Sequence, residues 1–468
     1  MLRPALLCLC LLLTACEPDA PPTAEPGEAF SGGATTTAQQ DANAYSMPAS
    51  NLSPSRRLDF SVGNSFFRNP WVAAPASTTA RDGLGPLFNT NACQNCHIKD
   101  GRGHAPAADA RHAVSMLVRL SIPAGSDPRH ARQLERLGVV AEPTYGTQLQ
   151  DMAIPGARPE GRIRVHYSPL LRAFDDGSQV ELRRPQLEID TLGYGPLHPQ
   201  TLLSARIAPA MIGLGLLEAI DEDDILALAD PDDSDGDGIS GRPNRVWDIA
   251  SQRSVLGRFG WKAGQPGIDQ QNAHAFAGDM GLTSSLVPED DCSAVQVECT
   301  RLANGGEPEV SDSIRASVLF YARHLAVPAR RQVDDPQVLA GKQLFHQAGC
   351  ARCHQPQFTT SASAAEPELA GQRIWSYTDL LLHDMGEELA DQRSEFLASG
   401  REWRTAPLWG LGLAQVVNPQ AGFLHDGRAR TPLEAVLWHG GEAEAARRTV
   451  QSFDAGQRAA LLAFLNSL

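Results

Sequence analysis

Past its first sixteen residues the chain holds no stretch long and apolar enough for a transmembrane helix. It also lacks an excess of positive charge. Forty Lys and Arg stand against fifty-five Asp and Glu, a formal net charge of −15, which removes the electrostatic footing for nucleic acid binding. Cysteine is scarce, nine in 468 residues, and each can be given a separate use. Large apolar residues are few from Glu17 to Asn51, where Pro, Ala, Thr, Gly and Gln dominate. Such a segment buries too little surface to order itself and reads as a flexible tether.

What is present elsewhere is ordinary for a soluble globular protein: 42% hydrophobic and 20% charged residues, in a length suited to two or three domains. Residues 1–16, Met-Leu-Arg-Pro-Ala-Leu-Leu-Cys-Leu-Cys-Leu-Leu-Leu-Thr-Ala-Cys, combine a short charged start, a brief apolar run and small residues before cysteine. This is an export signal. Its Leu-Thr-Ala-Cys ending resembles a lipobox, which implies cleavage after residue 15 and lipid on Cys16; an ordinary signal peptide is the alternative. Cys8 and Cys10 leave with the signal. Cys292 and Cys299, close in sequence and outside every motif, suit a disulfide in an oxidising compartment.

The other four cysteines fall into two copies of one pattern, Cys93-Gln-Asn-Cys96-His97 and Cys350-Ala-Arg-Cys353-His354. Two cysteines two residues apart, followed at once by histidine, form a c-type haem attachment signature: both thiols become thioethers and the histidine ligates iron. A zinc site or a redox dithiol is the competing reading of each pair alone. Two independent copies favour two covalent haems, held by Cys93, Cys96 and His97 and by Cys350, Cys353 and His354. The attachment chemistry belongs to the bacterial periplasm, in line with the export signal. The acidic charge then fits a cationic electron donor such as a small cytochrome.

The motifs sit in repeated surroundings. Gly85-Pro-Leu-Phe-Asn leads into the first and Gly341-Lys-Gln-Leu-Phe345 into the second; Arg206-Ile-Ala-Pro209-Ala-Met-Ile-Gly-Leu-Gly-Leu follows the first and Arg404-Thr-Ala-Pro407-Leu-Trp-Gly-Leu-Gly-Leu the second. The chain reads as two enlarged copies of one haem module. Between them Asp233-Ser-Asp235-Gly-Asp237-Gly238 alternates carboxylates with glycine at the turn, a spacing that suits Ca²⁺, although Asn244 stands where a calcium loop closes with Glu. A plain acidic turn is the alternative. Helical spacing of apolar residues predicts helices at 314–325 and 456–468, and the stretch 165–192 has the look of short strands.

Function turns on what faces each iron opposite its motif histidine. For the second haem, Leu382-His383-Asp384-Met385 offers Met385 first and His383 second. For the first, His198 precedes Arg206 much as Met385 precedes Arg404, with His104, His112, Met116 and Met152 as further candidates. Glu218 is the candidate general acid–base group, against a helix-capping or salt-bridging role. Trp261, Trp375, Trp403 and Trp409 are candidate electron relays.

Five stretches complete the picture: Ser376-Tyr-Thr-Asp-Leu-Leu-Leu-His-Asp-Met-Gly386, Arg401-Glu-Trp-Arg-Thr-Ala-Pro-Leu-Trp-Gly-Leu-Gly412, Phe423-Leu-His-Asp-Gly-Arg-Ala429, Gly257-Arg-Phe-Gly-Trp-Lys262 and Asp279-Met-Gly-Leu-Thr283. With both haem motifs they resemble the bacterial dihaem oxidoreductases of peroxidase type, also labelled thiol oxidoreductases, and more distantly the dihaem cytochrome c peroxidases. The resemblance spans 58–468. It implies a peroxide-reactive first haem with His97 as proximal ligand, a second haem on His354 that passes electrons to it, a small redox protein as donor and hydrogen peroxide as substrate. The rival readings are a non-enzymatic electron-transfer cytochrome and an oxidase of a thiol or protein partner. The expected architecture is mainly α, two cytochrome-c-like domains with a large, partly irregular insertion and a disordered N-terminal tether. Its boundaries are 1–15 signal, 16–57 tether, 58–330 first haem domain and 331–468 second. The expected location is the bacterial periplasm, with a lipid anchor in a membrane, the outer one by preference.

Overall fold

A computed structural model describes residues 23–468; the signal segment, Cys16 and the start of the tether lie outside the described residues. The mainly α expectation gives way to a mixed architecture, 29% helix and 18% strand, and cytochrome-c-like domains are not shown. Among the described residues the strands form six separate antiparallel pairs. The cause is visible in the sequence between the two haem motifs. Arg162–Ala173 alternates polar and apolar residues with period two and pairs along its whole length with Gln179–Asp190, through the turn Asp175-Asp176-Gly177. Ile163, Val165 and Leu182 point inward. The hairpin straps the C-terminal part of the chain: Arg183 Nε donates to the Arg428 carbonyl at 2.8 Å, Arg172 pairs with Glu388, and Arg458 pairs with Asp176 at 2.6 Å.

A second pair, Met116–Ser121 with Leu202–Ile207, builds one wall of the site described below. Met116, Val118 and Leu120 enter the core, so the period-two rule turns Leu117 and Arg119 to the other face.

The helices near the haem motifs follow capping and packing rules. Pro54–Arg68 starts on Ser53, whose side chain accepts from the Arg56 N–H, and buries Phe60, Gly63 and Phe67. It lies against Asp312–Arg323, the helix predicted at 314–325. Contact is so close at Gly63 that a Cβ there would stand 2.1 Å from the Ser317 carbonyl oxygen. The same device recurs before the second motif. Pro336–Gln347 crosses Ala455–Ser467 at Gly341, where a Cβ would meet the Ala460 carbonyl oxygen at 1.9 Å. The C-terminal helix begins with a reciprocal capping box between Asp454 and Gln457.

The tether expectation is corrected from residue 23 onward. Ala44 and Tyr45 are among the most buried residues of the main core, and that core also takes in Phe67, Tyr321, Trp409 and Val417. Tyr45 donates its hydroxyl hydrogen to the Gly410 carbonyl, and the Thr37 N–H donates to Val327 O at 3.0 Å. The segment builds no core of its own; it supplies pieces to a core made by others, which composition alone does not reveal. Its strongest tie is electrostatic: the carboxylate of Glu28, 1% exposed, pairs with Arg330, whose side chain is fully buried, and with Lys342 Nζ at 3.0 Å.

Removing one member of such a buried pair strands the other charge. Glu28→Ala is therefore expected to lower unfolding free energy by about 3–5 kcal/mol, measured by chemical denaturation. Leu58→Ala, at a side chain that is mostly exposed, is expected to change it by less than about 0.5 kcal/mol.

Candidate functional site

Cys93–Cys96 is a single helical turn, and His97 caps it. Cys93, Cys96 and His97 line a cavity of about 280 Å³ walled by the strand pair 116–121/202–207 and by the helix Ile268–Met280. His97 Nδ1 donates to the Pro209 carbonyl at 2.8 Å. A carbonyl only accepts, so the proton is on Nδ1 and the Nε2 lone pair is free for a metal. Burial pushes the His97 pKa down to about 4, which keeps the ring neutral as a ligand must be. The repeated Arg-x-Ala-Pro segment thus has a concrete task in its first copy: its proline carbonyl orients the motif histidine.

The second motif repeats this logic with a different acceptor. Cys350–Arg352 is a tight turn after Gly349, which sits at φ +81°, and His354 Nδ1 donates to the Tyr377 carbonyl at 3.0 Å. Burial again pushes the histidine down to about 4. The second Arg-x-Ala-Pro copy does not serve His354. Arg404, Pro407 and Trp409 line the cavity of the first site instead.

The four motif cysteines are free thiols, half-buried or buried. Burial raises Cys93 and Cys350 to about 12 and Cys96 well above the usual thiol value, which disfavours the reactive thiolate an active dithiol needs. Among the described residues no cluster with metal-ligand spacing contains any of the four. Both sites also hold polar groups that lack protein partners, as a carboxylate-bearing macrocycle requires. In the first, Arg206 and Arg393 pair with Glu395, yet Arg206 Nη2 and Arg393 Nε keep no hydrogen-bond acceptor among the described residues. In the second, Trp375 Nε1 and Ser376 Oγ, flanking Tyr377, are buried and unpartnered. The residues present therefore fit a haem at each motif.

His383 is held between two carboxylates, with Nε2 2.8 Å from Asp379 Oδ2 and Nδ1 2.7 Å from Glu442 Oε2. Burial alone pulls its pKa down, but those hydrogen bonds and Cys353 Sγ at 3.6 Å outweigh it and hold the pKa well above the usual imidazole value. With both nitrogens engaged as donors, His383 has no lone pair for iron. Met385 packs against the apolar clusters that contain Trp403 and Trp438. A residue absent from the sequence reading takes the more telling position. His439 ends the helix Pro432–Trp438, donates Nδ1–H to Ala435 O at 2.7 Å and stands close enough to His354 to act on its charge. Burial lowers its pKa. It has the same Nδ1-tied, Nε2-free form as the motif histidines. Its place just after Pro432–Trp438, in Leu437-Trp-His-Gly-Gly441, was the available signal.

Of the remaining candidates, Glu218 caps the helix Ile268–Met280 by accepting from the Ile268 N–H at 2.8 Å and pairs with Arg323 Nε at 2.6 Å; it is not among the cavity-lining residues. His198 lies in a turn, donating its backbone N–H to Glu142 Oε1 at 2.8 Å and accepting at Nδ1 from Gln200 N at 3.2 Å, also away from the cavity lining. His104 and His112 bind nearby carbonyls, and Met116 and Met152 lie in strands. Trp261 and Trp409 line the cavity; Trp375 and Trp403 do not. In the acidic loop, Asp233 and Asp235 gather with Asp230, their carboxylate oxygens within 4.8 Å of one another, while Asp237 pairs with Arg352 of the second motif at 3.0 Å. Cys292 and Cys299 lie at disulfide distance, 1.94 Å between sulfurs.

No curated protein matches the chain. The family model described as "Di-haem oxidoreductase, putative peroxidase" matches residues 27–468, taking in both motifs, both carbonyl-tied histidines and most of the segment first read as a tether. The chain belongs to that di-haem oxidoreductase family.

Proposed function

We propose that the protein is an exported, lipid-anchored c-type dihaem peroxidase that reduces hydrogen peroxide at the first site with electrons received at the second from a small redox protein. Cys93 and Cys96, and Cys350 and Cys353, would hold the two haems as thioethers, and His97 and His354 would supply their iron ligands. When bound, the haems supply one-electron transfer and an iron that takes up peroxide; the overall reaction, H₂O₂ with two electrons and two protons, yields two waters. The sequence of the signal segment supports a periplasmic location, with lipid on Cys16. The carboxylates of Asp230, Asp233 and Asp235 offer a Ca²⁺ site that would brace the loop carrying Asp237 against Arg352.

The observation that carries this reading is the asymmetry between two otherwise matching sites. Both motif histidines are tied at Nδ1 to a main-chain carbonyl. Among the described residues, only at the second does another imidazole tied in this form, His439, act electrostatically on the motif histidine. The first opens instead onto a cavity with several polar side chains. A histidine on each face makes an electron-transfer centre, whereas an open face accepts a substrate.

Trp409 is the indole between the sites. It lines the first cavity, while its neighbours Leu408 and Leu411 pack on the second core together with Cys350. Removing an electron from an indole leaves positive charge, which a fixed neighbouring cation opposes. Arg102 lies 5.5 Å from the Trp261 ring, Arg373 4.8 Å from Trp375 and Lys262 4.2 Å from Trp403. No cation is stacked on Trp409 among the described residues.

Two measurements check this. His439→Ala is expected to turn the second haem from low-spin to high-spin in ferric EPR and absorption spectra, with the first haem unchanged and Met385→Ala without effect; an unaltered spectrum would remove His439 as ligand. Trp409→Phe is expected to slow peroxide turnover about tenfold or more, a barrier increase of about 1.4 kcal/mol, with the spectra of both resting haems retained. Two low-spin haems inert to peroxide in every redox state would instead identify an electron-transfer cytochrome.

A further inference from the structure

The cavity of the first site contains a histidine that no motif announces, His274, on the wall formed by the helix Ile268–Met280. A histidine facing iron is either an axial ligand or a hydrogen-bond donor to a ligand, and the tautomer decides which. Here the tautomer can be traced to the backbone. The Ile249 N–H donates at 2.8 Å to Gln270, so that atom of the amide is its oxygen; Gln270 Nε2 accordingly donates to the Trp247 carbonyl at 3.0 Å and to Gln265 at 3.1 Å. The Gln265 atom that accepts is Oε1, which leaves its Nε2 to donate to His274 Nδ1 at 3.0 Å. Nδ1 is therefore an acceptor and the ring proton sits on Nε2.

Reversing this tautomer requires Gln265 to turn its amide, which would set its nitrogen against Nε2 of Gln270, whose amide is fixed by the Ile249 N–H at Oε1 and the Trp247 carbonyl at Nε2. Nε2 of His274 makes no protein hydrogen bond among the described residues, and the ring borders the cavity into which Cys93, Cys96 and His97 project. The charged groups acting on the ring are Arg119 and Glu395, and burial pushes its pKa down to about 4, so the neutral form persists at working pH.

We propose that His274 presents a fixed N–H donor to an anionic or peroxidic ligand at the iron of the first site and is not itself an axial ligand, with Gln265 and Gln270 as the positioning residues that set its tautomer. The inference rests on the peroxidase reading for its role in turnover: a donor aimed at the bound ligand stabilises negative charge as the O–O bond breaks. Its binding consequence does not depend on that reading.

Fluoride, which binds ferric haem as a hydrogen-bond acceptor and undergoes no redox chemistry, is the probe. In the haem-loaded full chain, wild type is expected to show one high-spin ferric haem that takes up fluoride. His274→Leu is expected to weaken fluoride binding on the order of 10–100-fold, and His274→Gln, which keeps an N–H donor, by only a few-fold. Gln265→Leu, which frees the ring to change tautomer, should also weaken fluoride binding. Unchanged fluoride affinity in His274→Leu overturns the proposal, as does a low-spin first haem that this substitution converts to high-spin. Loss of fluoride affinity in His274→Leu with no reaction of wild type with peroxide would support the donor and remove the peroxidase reading alone.

Discussion

The hydrogen bond from each motif histidine to a main-chain carbonyl is the constraint on which the rest of the molecule depends. It fixes the tautomer, turns Nε2 outward and sets the plane of the ring, so each acceptor carbonyl must be held in place by its own surroundings. Pro209 follows directly from the strand Leu202–Ile207, whose pairing with Met116–Ser121 makes a wall of the first cavity. Tyr377 stands in an aromatic group with Phe345 and Phe464, the latter on the C-terminal helix that crosses Gly341. The strand pair serves one histidine and the helix crossing serves the other.

Around this frame the charged interior is balanced pair by pair. Lys262, fully buried, holds Asp391 at 3.1 Å and the carbonyls of Ser399 and Glu402 at 2.7 and 3.0 Å, and its ammonium lies over the face of Trp403. The other face of that indole stacks on His425 at 3.7 Å. Arg206 and Arg393 share Glu395, at 2.8 and 2.7 Å. Buried charges are tolerated only when partnered. These contacts bind Gly257-Arg-Phe-Gly-Trp-Lys262 to Arg401-Glu-Trp-Arg404 and to His425, three of the stretches that carry the family resemblance. They are the scaffold of the first site, assembled from segments far apart in the chain.

Legibility in the sequence followed the range of the interaction. Cys93 to His97 and Cys350 to His354 act within one turn, and so they were readable as written. The two helices predicted from apolar spacing formed because their caps and buried faces are local. The mainly α expectation fails because two short haem motifs suggest helical modules, while the period-two pattern of 162–190 builds a long hairpin that tertiary contacts stabilise. The tether was misjudged because Tyr45 and Glu28 find their partners at Gly410 and Arg330, more than 300 residues away. His439 and His274 carry no motif; their roles rest on which nitrogen is tied, to Ala435 and to Gln265, a detail that spacing does not reveal. Spacing from Arg404 and Arg206 points to Met385 and His198; Met385 packs among apolar side chains, and His198 is not among the residues that line the first cavity.

The central claim is that two separately oriented histidines each present an axial ligand to a covalently held haem. Intact-mass determination of the purified, exported chain, combined with a pyridine haemochrome assay, tests it most directly. The account predicts two c-type haems per chain that survive acid denaturation, one lost on replacing Cys93 and Cys96 and the other on replacing Cys350 and Cys353. A chain that carries a single covalent haem, or none, would contradict it.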